Sequence, residues 1–123
     1  MKMMRNQKLG HIDFIGLQGA IKSNPRIMPS DIDFIIERKS KFLVAEWKRP
    51  EEALPIGQKI LMKNLAEVYG FTVLLVIGHS DLTTAVDKFY QIIMSDAILM
   101  GEGIDSFRAF INNWYDYADG NKR

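Results

Sequence analysis

The chain has no cysteine. That excludes disulfide bonds, cysteine-held zinc and a thiol nucleophile, and it agrees with a reducing compartment. Two histidines, His11 and His79, are too few for a histidine-rich metal centre. Long apolar runs are also missing: FTVLLVIG stops at His79 and IIMSDAILM is broken by Asp96. Neither approaches the ~18 uncharged apolar residues that a spanning helix needs. The opening MKMMRNQKLG carries basic residues with no signal-peptide core behind them. These absences predict a cytoplasmic protein with no membrane partner.

An excess of one charge is lacking as well. The net charge of +1 is far from that of a strongly basic nucleic-acid binder. The distribution is less even than the total. Between Arg38 and Lys63, seven basic residues (Arg38, Lys39, Lys41, Lys48, Arg49, Lys59, Lys63) face three acids (Glu46, Glu51, Glu52), whereas the stretch after Asn64 is acidic. The asymmetry permits an anionic partner at the central segment; a solvated turn and helix face is the plainer alternative.

What is present is enough for a core. A chain of 123 residues with 47% hydrophobic content is the size of one globular domain, here read as 1–123. LGHIDFIGLQGAI, about 9–21, has apolar residues at loosely helical spacing and three glycines, and predicts a poor helix. SDIDFIIE and FLVAEWK are rich in β-branched and aromatic residues, and RKSK between them is short enough only for a hairpin. IGQKILMKNLAEVY predicts an amphipathic helix over 56–69, with Ile56, Ile60, Leu61, Leu65 and Val68 on one face and Gly70 as its cap. FTVLLVIG reads as a buried central strand, parallel to FLVAEWK through a right-handed crossover.

Further on, SDLTTAVDKF is either a short helix capped by Ser80 or a loop, and YQIIMSDAILM holds at least one strand. Asp105 is placed to cap a last helix carrying Phe107, Phe110, Ile111 and Trp114. GEG at 101–103 reads as a turn before that helix. The fold class is α/β: one mixed central β-sheet with flanking helices.

The segment PSDIDFIIERKSKFLVAEWKRP places acids where core is expected. Side chains alternate along a strand, so Asp31, Asp33 and Ile35 share one face of the first strand, and Glu46 and Lys48 share a face of the second. A symmetric turn that sets Glu37 opposite Phe42 also sets Asp33 opposite Glu46 and Asp31 opposite Lys48. Directly opposed carboxylates repel, and a divalent cation between them removes the objection. Oxygen ligands favour a hard ion, hence Mg²⁺ with Mn²⁺ as substitute. Lys48 is then placed to orient or deprotonate a water, or to neutralise charge developing on a phosphorus. The bland reading makes Asp31 a turn residue and Glu46 with Lys48 the wet side of an edge strand.

In order and context these residues resemble the PD-(D/E)XK nuclease superfamily, particularly its small Holliday-junction-resolvase and replication-repair types. PSDIDFII, FLVAEWK, IGQKILMKNLA and FTVLLVIG carry the likeness, over about 29–78. The resemblance implies a restriction-endonuclease-like core, with Asp33 and Glu46 binding Mg²⁺ together with the Trp47 backbone carbonyl. Lys48 would position the attacking water, and Gln58 would support the site or touch the nucleic-acid backbone. Asp31 is a second candidate ligand or a partner for Lys48. Many members supply a Glu from an earlier helix; this chain has none before Glu37, leaving Asp13, or more weakly Gln18, as substitute.

The expected activity is Mg²⁺-dependent hydrolysis of DNA phosphodiesters, on branched or single-stranded DNA among others, by a homodimer. Arg38, Lys39, Lys41, Arg49, Lys59 and Lys63 are the candidate nucleic-acid contacts. The alternative is a catalytically weak or inactive nuclease-fold module that binds DNA or a protein, for instance in a phage or bacterial setting. His79 is a further phosphate or acid–base candidate, and Trp114, Tyr115 and Tyr117 are stacking or dimer candidates whose default is core packing.

Overall fold

The computed structural model describes residues 12–79 and 84–120. They divide into two compact units, the first ending at Asp31 and the second beginning at Ile32.

In the first unit the helix expected over 9–21 is reduced to one 3₁₀ turn, Phe14–Leu17, where the Asp13 carboxylate accepts from the Ile15 N–H at 2.9 Å. Residues 9–11 lie outside the described residues. Glycines 16 and 19 weaken a helix here, and Gly19 adopts φ 76. Ile12, Ile15 and Leu17 are exposed, so the spacing gathers no apolar face into a core that would offset the glycines.

The second unit is α/β, a five-stranded mixed sheet with two helices. Its elements are β1 (Phe34–Arg38), β2 (Lys41–Lys48), α1 (Ile56–Ala66), β3 (Phe71–Ile77), β4 (Lys88–Ile93), β5 (Asp96–Glu102) and α2 (Gly103–Ala118), and the strands lie in sequence order across the sheet. β2 and β3 are parallel, joined through α1, and every other neighbouring pair is antiparallel. The apolar run 71–77 is therefore the central strand, as its composition predicts.

On one face of the sheet, Leu43, Ala45, Leu74, Val76 and Phe89 pack against Phe107, Trp114 and Ala118 of α2. Phe107 meets Trp47 and Phe89 edge-on, with ring centres 5.6 and 5.1 Å apart. By strand alternation, Val44, Glu46, Val73 and Leu75 point to the other face, where α1 packs on β3 and buries Met62.

Several boundaries differ from the sequence reading. α1 ends at Ala66 with Glu67 as its cap, and Gly70, at φ 92, turns the chain into β3 instead. Ile56, Ile60 and Val68 are exposed: α1 turns its Met62 side, with Leu61 and Leu65 half-buried, to the sheet. YQIIMSDAILM supplies two strands around a Met94–Ser95 turn, both residues in the left-handed region, φ 51 and 76. α2 starts at Gly103 with Glu102 as its cap; Asp105 sits in the first turn, where its charge suits the helix dipole. Ser80 lies outside the described residues, and 84–87 form no regular element. Among the described residues, no helix is long and apolar enough to cross a membrane.

Candidate functional site

The hairpin brings the two carboxylates together. Lys39 and Ser40, with φ 51 and 68, make the two-residue turn whose twist matches paired strands. Arg38 faces Lys41, Glu37 faces Phe42, and the ladder ends at Phe34 facing Ala45. In this register the even residues of β2 aim their backbone groups at β3. Accordingly, the Phe42 N–H reaches the Gly70 carbonyl, and the Lys48 carbonyl accepts from Gly78. Trp47, being odd, aims its N–H and carbonyl toward β1. β1 stops at Phe34, and the Asp33 carboxylate takes the Trp47 N–H at 2.8 Å instead of a strand partner. One step along the hairpin, Asp33 comes opposite Glu46.

Glu46 is the one charged residue of the described core, only 6% exposed. Burial pushes its carboxyl up to about 7, and the charge of Asp33 and a hydrogen bond shared with the Asp33 carboxyl add to the rise. The Lys48 ammonium and a backbone hydrogen bond from Asp33 pull it part of the way back. Asp33 and Lys48 thus act on Glu46 with opposite sign.

Gln58 lies in the first turn of α1. The far end of α1 is tied to the start of β3 by only 67–70, so this first turn lies toward the carboxyl end of β2 and β3, the end that carries Glu46 and Lys48. The Gln58 Oε1 is buried with no hydrogen-bond partner among the described residues. A carboxamide oxygen left unsatisfied is costly, and it is a ligand that hard cations accept.

Asp31, Asp13 and Gln18 belong to the first unit. The ladder ends three residues short of Asp31, because the chain bends at Asp33, so the predicted Asp31–Lys48 pairing is not part of it. Asp31 closes the first unit, and Asp13 in that unit caps its own 3₁₀ turn. Gln18 ends that turn through its backbone N–H. His79 is exposed just past β3.

Arg38, Lys39 and Lys41 cluster at the turn end of the hairpin, about 17 Å of strand away from Glu46. Asp119 accepts from Arg38 Nε at 2.7 Å, while Lys39 donates to the Asp119 backbone carbonyl at 3.0 Å. Arg38 and Lys41 lie over the rings of Tyr115 and Tyr117. Lys63 pairs with Glu67 at 2.9 Å, one helix turn on. Arg49 stands beside Glu51 and donates its backbone N–H to Glu52. Lys59 is exposed on the first turn of α1. Trp114 is core. Of the proposed constellation, the fold therefore joins Asp33, Glu46 and Lys48, turns Gln58 toward the same end, and leaves the cationic turn apart.

The chain matches no family model, no curated protein and no solved structure.

Among the described residues no group of three or more His, Asp or Glu side chains converges on a metal-sized point. The two carboxylates, the Trp47 carbonyl on the side left open by β1 and the unsatisfied Gln58 oxygen are all hard oxygen donors, the type that Mg²⁺ accepts. Sequence reasoning overlooked the Trp47 N–H and indole. Only the early stop of β1 makes that N–H available, and spacing carries no signal of it.

Proposed function

We propose that this chain is a divalent-cation-dependent nuclease of PD-(D/E)XK type, with a restriction-endonuclease-like core, that hydrolyses DNA phosphodiesters in the cytoplasm. The observation that carries the reading is the opposition of Asp33 to Glu46. Two carboxylates share a site in which one is buried and pushed up to about 7, with a lysine beside them. A fold served by stability alone gains nothing from such a pair, and perturbed titration of this kind concentrates at functional sites.

Asp33 and Glu46 would hold the cation, with the Trp47 carbonyl and Gln58 Oε1 as further oxygen donors. When bound, Mg²⁺ or Mn²⁺ supplies Lewis acidity toward a phosphoryl oxygen and lowers the cost of forming hydroxide. Glu46 must be deprotonated to serve as a ligand, and its neighbours Asp33 and Lys48 control how readily it is. Lys48 donates from Nζ to the attacking water or a phosphoryl oxygen and neutralises negative charge developing on phosphorus. The water oxygen forms the new bond to phosphorus and the P–O3′ bond breaks. The proton lost by water is balanced by the one gained at O3′, giving a 5′-phosphate and a 3′-hydroxyl. Two copies acting together would cut both strands.

One observation favours the second reading, a weakly catalytic module that binds DNA or a protein. Burial pushes the Glu46 carboxyl up to about 7, so near neutral pH a proton competes with any cation for it. Linear, branched and single-stranded DNA incubated with Mg²⁺ or Mn²⁺ decides between the two, with EDTA and Lys48→Ala as controls. Cleavage lost in both controls supports the nuclease. Cleavage surviving both removes the proposed site, and binding without cleavage favours the module.

A further inference from the structure

We infer that the side chain of Trp47 is a positioning residue for the Asp33 carboxylate, an inference that rests on the reading of Asp33 and Glu46 given above. Beyond Phe34, β2 has no ladder partner on its β1 side. Its last residues are paired to β3 alone, from Glu46 with Leu75 to Lys48 with Ile77, so any twist of this one-sided segment would carry Glu46 and Lys48 with it. The indole opposes this from the other face of the sheet. The anchor is the hydrogen bond that Nε1 donates to the Ala85 carbonyl at 3.1 Å, while the ring packs 5.6 Å edge-on from Phe107 and 6.1 Å from Phe34 without fixing the N–H. With the side chain anchored, the Trp47 N–H is held toward the Asp33 carboxylate.

The anchor is itself built. Gly78 lets segment 84–87 approach the end of β3: a Cβ at this position would lie 2.2 Å from the Ala85 oxygen. The same segment is pinned by the Asp87 N–H on the Ile77 carbonyl at 2.8 Å, and by the Gly103 N–H on the Asp87 carbonyl at 3.0 Å. A continuous path therefore runs from Gly78 through Ala85 and the indole to Asp33. Because neighbouring side chains alternate, the anchor acts without touching substrate: Trp47 points to the α2 face while Glu46 and Lys48 point to the other.

The test uses Trp47→Phe, which keeps an aromatic ring and deletes the Nε1 donor. Benzothienylalanine at 47, an isostere without the N–H, repeats it with the packing preserved. Phe107→Leu is the control, loosening the same aromatic cluster while leaving the Nε1 bond. Two quantities are read: hydrogen exchange of the residue-47 backbone amide, and Mn²⁺ affinity by calorimetry. Both replacements at 47 are expected to speed that exchange about tenfold beyond any change in global stability and to weaken Mn²⁺ about tenfold, as lost outer-shell support does elsewhere. Phe107→Leu should do neither beyond its own stability loss. An amide equally protected in all proteins, or a control that shifts both readouts as much, overturns the inference. If the unaltered protein binds no Mn²⁺, the metal-site reading fails, and the exchange data still decide what the indole does.

Discussion

The backbone N–H of Trp47 donates to the Asp33 carboxylate at 2.8 Å, in the place of the ladder bond that β1, ending at Phe34, does not extend to make. A strand that stopped without such a replacement would leave this exposed donor to water. Here the replacement is an acid, and it stands opposite a second, buried one. The same contact that closes the sheet therefore creates the electrostatic conflict on which the proposed chemistry depends.

Replacing Asp33 by Asn keeps an acceptor for the Trp47 N–H and deletes the charge facing Glu46. In EDTA the variant is expected to be more stable, by roughly 1 kcal/mol in urea titration. Mg²⁺-dependent cleavage should fall at least about a hundredfold. Undiminished cleavage would remove Asp33 from the site.

Stability should depend on pH through Glu46. Its carboxyl is raised from 4.5 to about 7, so the folded state holds the proton more tightly than the unfolded chain. The resulting stabilisation is complete below about 4.5. It is lost as pH rises through about 7, in total on the order of 3 kcal/mol. Mg²⁺ competes with that proton, so the rise in Tm on adding 10 mM Mg²⁺, an amount of about that order being ample for such sites, should be larger at about pH 8 than at about pH 6. An equal rise at both would separate the cation from Glu46.

Gln58→Met tests the orphaned oxygen. Removing a buried, unpartnered acceptor should stabilise the cation-free protein by about 1 kcal/mol. If Oε1 serves the site, the same change weakens Mn²⁺ binding severalfold. A variant that is more stable and binds Mn²⁺ unchanged would confine Gln58 to structure.

Asp119→Ala releases Arg38 and Lys39 at the turn end of the hairpin. Asp119 is held low by the hydrogen bond from Arg38, so its contribution to stability is present at neutral pH and lost as pH falls through its depressed range. The variant should lose that acid-side dependence. If the freed cations meet phosphates, the log–log salt slope of DNA binding should steepen by about 1 to 2. An unchanged slope would exclude this end of the hairpin from the DNA path.

The parts legible in the sequence were those governed by short-range rules. Alternation in DFII and AEWK, with a connector too short for anything but a hairpin, leads to the observed pairing of Glu37 with Phe42. The unbroken apolar run 71–77 could only be covered on both faces. Helix faces were harder. Ile56, Ile60 and Val68 have apolar spacing as good as that of Leu61 and Leu65, yet they are exposed, because which side of α1 meets the sheet is decided by how the crossover lays it down. The Met94–Ser95 turn escaped notice because it lacks the Gly or Asn that usually marks left-handed turn residues.

By itself the sequence determined the hairpin register, with Glu37 opposite Phe42 and Phe34 opposite Ala45, since period-2 alternation and a tight turn leave little freedom in a hairpin. It also determined the parallel β2–α1–β3 unit. Only the tertiary structure decided that Glu46 is buried, that β1 ends early enough for Asp33 to hold the Trp47 N–H, and that the cations of the turn are drawn to Asp119. The physical reason is range. Register and twist propagate between adjacent residues and strands, whereas burial and ion pairing depend on which distant segments, here α1, α2 and 84–87, close over them.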